Sequence, residues 1–174
     1  MNGDAIIRTA IERSAKAVSL KPSVGQGTAI TKVRLRPGLA CDVEEGDWKF
    51  VVGMSPKYGG SNEGPNPGIF GRAALGSCLA ICYGMWSARL DVPFESVEVD
   101  VFADYDVRGE LAVSGDVRPA YSAIRYAVRV ESSAPEEDVL RVLDTADRYS
   151  SYVDLYAHGV PLKRDVQISS PAVR

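Results

Sequence analysis

The spacing of hydrophobic residues predicts one helix and three strands at the start of the chain. Apolar residues recur every three or four positions over Asp4–Val18, which is typical of an amphipathic helix. Over Thr28–Arg36, apolar and polar residues alternate, which predicts a strand with one buried face. Ala40–Glu45 and Trp48–Gly53 also have strand character, and a turn centred on Gly46 joins them, so we expect a hairpin.

Alternation returns in the second half of the chain. It predicts four more strands, at Val97–Tyr105, Leu111–Val117, Ile124–Val130 and Pro161–Ile168. A second amphipathic helix precedes the last of these, with Ser132 or Ser133 as its N-cap and an apolar stripe that ends at Tyr149. Because the strands cluster instead of alternating singly with helices, the pattern indicates an α+β fold with mostly antiparallel sheet.

Between the two groups of strands lies the most apolar stretch of the chain. It begins with Asn66 as a predicted N-cap and Pro67 at the first helical position, and it runs to Leu90. A membrane span needs about 20 consecutive apolar residues, whereas Arg72 and Arg89 bracket only 16 here. A helix without a polar stripe must be covered by other parts of a protein. We therefore predict a buried central helix.

Composition narrows the range of functions. The 174 residues suit a single domain, 1–174, and the net charge of −3 with scattered basic residues argues against nucleic acid or an anionic membrane as a partner. The sequence opens without the charged and apolar regions of a signal peptide. Three cysteines without a framework spacing favour a reducing cytoplasm. The only histidine, His158, makes a His-based triad or a His-rich metal site a poor candidate.

Two other kinds of site are disfavoured by spacing. The glycine-rich loop Gly59–Gly64 matches neither nucleotide-binding motif, so we predict no cofactor there. Cys78 and Cys82 share a helix face, but the sequence offers no second pair of ligands to complete a tetrahedral metal site. A disulfide between them would require local unwinding, because the Cβ atoms of such neighbours lie about 5–6 Å apart.

Cys78 remains as a single thiol in an apolar helix. A cysteine there is more often a core residue than a nucleophile, and a nucleophile needs its thiolate form. The dipole of its own helix gives little help, because Cys78 lies about three turns from Pro67 and the effect fades within the first turn. An activating cation must come from another segment, and Arg34 and Arg36 are the nearest candidates by type.

The order of these pieces resembles the OsmC/Ohr family of thiol-dependent peroxidases, the osmotically induced and organic hydroperoxide resistance proteins. The most specific portion is GGSNEGPNPGIFGRAALGSC, Gly59 to Cys78, and the similarity extends from about Thr28 to Val166. The resemblance implies an α+β fold and an intertwined homodimer with active sites at the subunit interface. It also places Cys78 at the family's peroxidatic cysteine, with Arg36 or Arg34 as its activating arginine.

This sequence departs from the family pattern in three places, one of which is that the activating arginine is matched only loosely, by Arg36 or Arg34. The resolving cysteine is expected just after the second helix, where RYSSYVDLY places Ser150 or Ser151. The Asn-Pro-Glu motif, whose acid orients the arginine, reads Asn66-Pro67-Gly68. Cys82 and Cys41 are the remaining candidate resolvers, and the helix geometry argues against Cys82.

Two functions therefore stay open. The first is a cytoplasmic antioxidant peroxidase in which Cys78 reduces small hydrophobic hydroperoxides and an external thiol or dithiol, such as a lipoyl group, restores it. The second is a non-catalytic dimer of the same fold that binds a small apolar ligand, with Cys78 merely buried or oxidisable.

Overall fold

The computed structural model describes residues 3–170. Within that range the chain forms five α-helices and five β-strands, in the order α1 (Gly3–Leu20), β1 (Lys32–Arg36), β2 (Ala40–Glu45), β3 (Trp48–Gly53), α2 (Pro67–Leu90), β4 (Ser96–Asp104), α3 (Val107–Glu110), β5 (Ala123–Glu131), α4 (Glu136–Tyr149) and α5 (Ser151–His158). Short 3₁₀ turns lie at Pro22–Gly25 and Pro56–Tyr58. All strand pairs are antiparallel, in a sheet β1-β2-β3 and a sheet β4-β5. The predicted α+β class is confirmed.

The first sheet matches the predicted hairpin. Strands β2 and β3 have the predicted bounds, pair Glu45 with Trp48 across the turn, and place Gly46 at a positive φ of 55°. Strand β1 is shorter than predicted, because its pairing ends with Lys32 opposite Glu44. Because β2 ends at Glu45, almost all residues before Lys32 lie beyond its end and have no strand to pair with.

Helix α2 begins as predicted. The Asn66 side chain accepts a hydrogen bond of 3.1 Å from the Ile69 N–H, and Pro67 occupies the first helical position. One face of α2 forms the core, where Leu75, Leu79 and Tyr83 cluster with Ala146 of α4. That face packs on β4 and α4, while α1 and α5 also contact the helix.

The opposite face of α2 is not covered by the described chain. Ile81 is 62% exposed, and Ile69 and Met85 are 44% and 40% exposed. The predicted burial of this helix therefore holds on one side only within the described chain, because one small sheet and the flanking helices do not reach the other. Within residues 3–170, α2 is the one helix long and apolar enough to span a membrane, a property that core helices share.

The second sheet lies beneath α2, and its strands have one buried and one exposed face, as their alternation predicted. Val99, Val101 and Val128 of β4 and β5 pack against the core, whereas Arg129 on the outer face pairs with Glu98 and Asp100. This sheet is a two-stranded support for the centre of α2.

The predicted strand at 111–117 is wrong. Asp106 accepts a hydrogen bond of 3.0 Å from the Arg108 N–H and starts the short helix α3. The chain then turns through Ala112 at a positive φ of 54°. A Cβ on Gly109 would lie 2.5 Å from the Arg118 carbonyl oxygen, so the segment folds back tightly on itself.

Three features at the C-terminal end also differ from prediction. Helix α4 starts after Pro135, because the Ser132 hydroxyl instead accepts from the Ala134 N–H at 3.1 Å within the preceding turn. Helix α5 was not predicted. Residues 161–168 keep their alternating pattern but form no strand, since no neighbouring strand pairs with them in the described chain.

Candidate active site

The Cys78 sulfur lies against the junction between α4 and α5. Cys78 is half-buried in the middle of α2, with its Sγ 3.5 Å from Ser150 Oγ and 3.7 Å from Ser151 Oγ. Ser150 is only 1% exposed, so it is packed against the sulfur in the protein interior. Two hydroxyl groups therefore face the thiol where the family resemblance placed a resolving cysteine.

The start of α5 explains why these groups converge. Ser150 has an extended backbone and is the N-cap of α5, accepting a hydrogen bond of 3.3 Å from the Val153 N–H. The Tyr152 backbone N–H, in the first turn, also faces Cys78 and lowers the pKa of its thiol. The first N–H groups of a helix lack partners within the helix and carry partial positive charge, so they favour a nearby anion.

These donors determine the electrostatics of the thiol. Burial raises the pKa of Cys78, but hydrogen bonds from Ser150, the Tyr152 N–H, Ser151 and Cys82 together hold that pKa below its ordinary value. A hydrogen bond to the charged form of a group favours that form. Neutral donors and a helix N-terminus therefore favour the charged form of this thiol, and no cation within residues 3–170 is among the causes of its lowered pKa.

Cys82, one turn along α2, has the opposite tendency. Burial raises the pKa of Cys82 to about 11, and the neighbouring Cys78 and the carboxylate of Asp147 add to the rise. Cys82 therefore stays protonated and can donate its S–H to a Cys78 thiolate. All three cysteines, including Cys41 on β2, are free thiols.

The predicted activating arginines lie on β1 and make other contacts. Arg36 Nη2 lies 2.9 Å from Glu63 Oε2, and Arg36 Nε lies 3.0 Å from Asp42 Oδ1. Although Nε is buried close to that carboxylate, its N–H forms no hydrogen bond with Asp42 or with any other group within residues 3–170. Arg34 is exposed, opposite Asp42 on the neighbouring strand. No hydrogen bond or ion pair joins either arginine to Cys78 in the described chain.

An acidic partner for Arg36 does exist, although the sequence pattern did not reveal it. Glu63, in the loop before α2, has its pKa lowered by a hydrogen bond from Ser61 and by the charge of Arg36. Gly68 stands where the Asn-Pro-Glu motif of the family has its glutamate, and its lack of a side chain leaves room for two other groups. A Cβ there would lie 3.2 Å from both Arg72 Nη1 and Tyr121 Oη, which bond to each other at 2.9 Å.

The comparisons with known proteins decide the family. The family model described as OsmC-like protein matches residues 60–164, which is more than half of the chain and includes Cys78, Ser150 and Ser151. The chain belongs to the OsmC-like protein family. That family includes hydroperoxide resistance proteins. No curated protein matches the sequence.

Solved structures share the OsmC-like fold at low sequence identity. An OsmC-like protein from Mycoplasma pneumoniae matches with a TM-score of 0.66 and 10% identity, over 76% of this chain and 89% of that one. An organic hydroperoxide resistance protein OsmC from Legionella pneumophila gives 0.57 and 12%, over 76% and 91%. An OsmC-like hydroperoxide resistance protein from Jannaschia gives 0.52 and 11%, over 81% and 92%. These matches establish the fold, and function must be argued from the site.

In this OsmC-like protein, sequence reasoning singled out Cys78 as the candidate nucleophile but did not predict that the first turn of α5 faces it. A residue pattern does not reveal the Tyr152 N–H, because every residue except proline supplies a backbone N–H. A signal for α5 was nevertheless present, since Ser150 belongs to the residue types that favour the N-cap position of a helix. Within residues 3–170, no group of three or more Cys, His, Asp or Glu side chains could hold a metal ion.

Proposed function

We propose that this OsmC-like protein is a thiol-dependent peroxidase that reduces small organic hydroperoxides through Cys78. The observation that carries the proposal is the set of donors aimed at its sulfur: two serine hydroxyls and the first turn of α5. A structural cysteine has no need of a stabilised thiolate, whereas a nucleophilic cysteine depends on one.

The proposed reaction has two stages. The Cys78 thiolate attacks the terminal oxygen of the hydroperoxide, the O–O bond breaks, and the sulfur is oxidised to a sulfenic acid while the leaving alkoxide takes a proton and departs as an alcohol. An external thiol then condenses with the sulfenic acid to form a mixed disulfide and water. A second thiol group, supplied by a dithiol or another thiol molecule, displaces Cys78 and returns it to the reduced state.

The order in which the cysteines are oxidised tests this proposal. After brief treatment with one equivalent of cumene hydroperoxide, we expect sulfenic acid first at Cys78, because the thiolate is the reactive form and Cys82 is held protonated. Peptide-resolved mass spectrometry with dimedone trapping would measure it. Equal labelling of Cys41, Cys78 and Cys82, or no labelling, would contradict the proposal.

A second candidate function is binding of a small apolar ligand without turnover. A groove of about 860 Å³ lies beside α1 and is lined mostly by apolar side chains, among them Ile11, Val18 and Met85. A hydrophobic groove of this size could hold a drug-sized molecule. Unreactive Cys78, together with saturable binding of an apolar probe, would favour this function.

We also propose that the protein is a homodimer. The exposed apolar face of α2 and the unpaired alternating segment 161–168 both lack a partner within the described chain. The family resemblance supports an intertwined dimer with the site at the interface, and in that arrangement Arg36 or Arg34 would be the arginine near Cys78.

The dimer has a direct physical consequence. Burial of exposed side chains such as Ile81 would stabilise the assembly by about 25 cal/mol for each Å² of apolar surface removed from water. We expect sedimentation velocity to show a single species of twice the chain mass of 18.7 kDa at micromolar concentration. A monomer at that concentration would contradict the dimer. We propose in addition that the protein is cytoplasmic and that an external thiol or dithiol is its reductant.

A further inference from the structure

A second polar cluster lies close to Cys82, one turn along α2 from Cys78, and has no part in the proposed reaction. Asp147, near the end of α4, receives a hydrogen bond of 2.6 Å from Tyr83 Oη on one carboxylate oxygen and one of 2.9 Å from Tyr126 Oη on the other. Tyr83 is fully buried in α2, and Tyr126 lies on β5. One carboxylate thereby joins α2, α4 and β5.

The roles of donor and acceptor in this cluster are fixed. Burial raises the pKa of Tyr83, and the Asp147 carboxylate raises it further. Burial and the same carboxylate raise the pKa of Tyr126 to about 12. Both phenols therefore keep their protons and donate, while Asp147 accepts. A hydrogen bond to a charged group stabilises more than one between neutral groups.

Asp147 stands immediately before the junction that faces Cys78. Its backbone carbonyl accepts a hydrogen bond of 3.3 Å from the Ser150 N–H, at the point where α4 ends and α5 begins. The groups that contact the sulfur, Ser150, Ser151 and the Tyr152 N–H, follow directly after this point in the chain. If the end of α4 rotated or moved away from α2, all three donors would move with it.

We propose that Asp147 is a positioning residue for Cys78, and that its carboxylate, held by Tyr83 and Tyr126, fixes the α4–α5 junction against the sulfur. Its importance for peroxide reduction rests on the proposed function of Cys78, but the effect on the thiol does not. The charge of Asp147 also helps to keep the neighbouring Cys82 protonated. The cluster thus leaves one thiol of the pair as the nucleophile and the other as a hydrogen-bond donor.

The pH dependence of alkylation tests this proposal without peroxide. Peptide-resolved alkylation by iodoacetamide would be followed from about pH 6 to 10 in the wild type and in Asp147→Asn. We expect the Cys78 profile to move to higher pH, because burial still opposes the thiolate while its donors are less well placed. At neutral pH the alkylation rate of Cys78 should fall about fivefold or more, since that rate follows the thiolate fraction.

Two comparisons separate positioning from a general loss of structure. Asp144→Asn removes the same charge one turn earlier on α4, at an exposed position, and should leave the Cys78 profile unchanged. Cys41, on the other sheet, provides an internal reference whose alkylation should not change. Accelerated alkylation of all three cysteines would signify loosened packing and would overturn the proposal.

The second variant, Tyr126→Phe, removes a single hydroxyl at a position that is 37% exposed, so it keeps the test valid if Asp147→Asn does not fold. It should shift the Cys78 profile in the same direction by a smaller amount. An unchanged profile in either folded variant would overturn the role of Asp147. If wild-type Cys78 failed to react with peroxide, the proposed function would fail while the alkylation result remained valid.

Discussion

Ser150→Cys should convert the protein into a two-cysteine peroxidase that forms an internal disulfide with Cys78. The Ser150 hydroxyl already lies 3.5 Å from the Cys78 sulfur and is almost completely buried, so a thiol at this position would meet the sulfenic acid directly. The sulfenic acid and the new thiol would condense to a disulfide and release water. Loss of the N-cap of α5 should cost about 1 kcal/mol, which an ordinary domain tolerates.

Non-reducing peptide mapping after one equivalent of cumene hydroperoxide measures the result. In Ser150→Cys we expect a disulfide between Cys78 and the introduced thiol to dominate, whereas the wild type should keep a dimedone-reactive sulfenic acid or be oxidised further to sulfinic acid. The same variant with Cys78→Ser should form no linkage, and with Cys82→Ser it should still form one. A persistent sulfenic acid in Ser150→Cys, or a dominant Cys78–Cys82 or Cys78–Cys41 linkage in the wild type, would contradict this account of the missing resolver.

The second large effect concerns the pH dependence of Cys78 in Ser150→Ala/Ser151→Ala. In the wild type, hydrogen bonds hold the pKa of Cys78 below its ordinary value, so its oxidation rate should rise with pH and level off once the thiolate predominates. Without the two hydroxyls, burial remains and raises the pKa, so the rise should occur at higher pH. Because a higher pKa leaves less thiolate at neutral pH, we expect the oxidation rate at that pH to fall about tenfold.

Stopped-flow oxidation of Cys78 by cumene hydroperoxide from about pH 5 to 10 would measure both profiles. Ser77→Ala is the matched control, because Ser77 adjoins Cys78 in sequence but its hydroxyl donates to the Ala74 carbonyl instead of the sulfur. Its profile should coincide with that of the wild type. Coincident profiles for the double variant and the wild type would show that the serines do not activate the thiol.

The sequence predicted the parts of this structure whose signals are local. Asn66 and Pro67 mark the start of α2 through capping chemistry that involves neighbouring residues only. The hairpin β2-β3 follows from two alternating segments and a glycine turn. The position of Cys78 on α2 required no knowledge of the rest of the fold, and the family resemblance then supplied its expected role.

Features that depend on distant partners were not predictable in this way. Arg36 and Glu63 are separated by 26 intervening residues and meet because the loop before α2 returns to the end of β1. The alternating segment 161–168 reads as a strand, but a strand also needs a partner, which the described chain does not supply. The lowered pKa of Cys78 depends on groups at the start of α5, which reach the sulfur only because α4 and α5 pack against α2.

The most direct measurement of the central claim is the amount of alcohol formed in a single turnover. Wild-type protein mixed with excess cumene hydroperoxide and no reductant should release about one cumyl alcohol per chain in a rapid first phase, because one thiolate accepts one oxygen atom. Cys78→Ser should release none in that phase, whereas Cys82→Ser should still produce it. Equal alcohol from wild type and Cys78→Ser, or no rapid phase in the wild type, would contradict the assignment of Cys78 as the peroxide-reducing thiol.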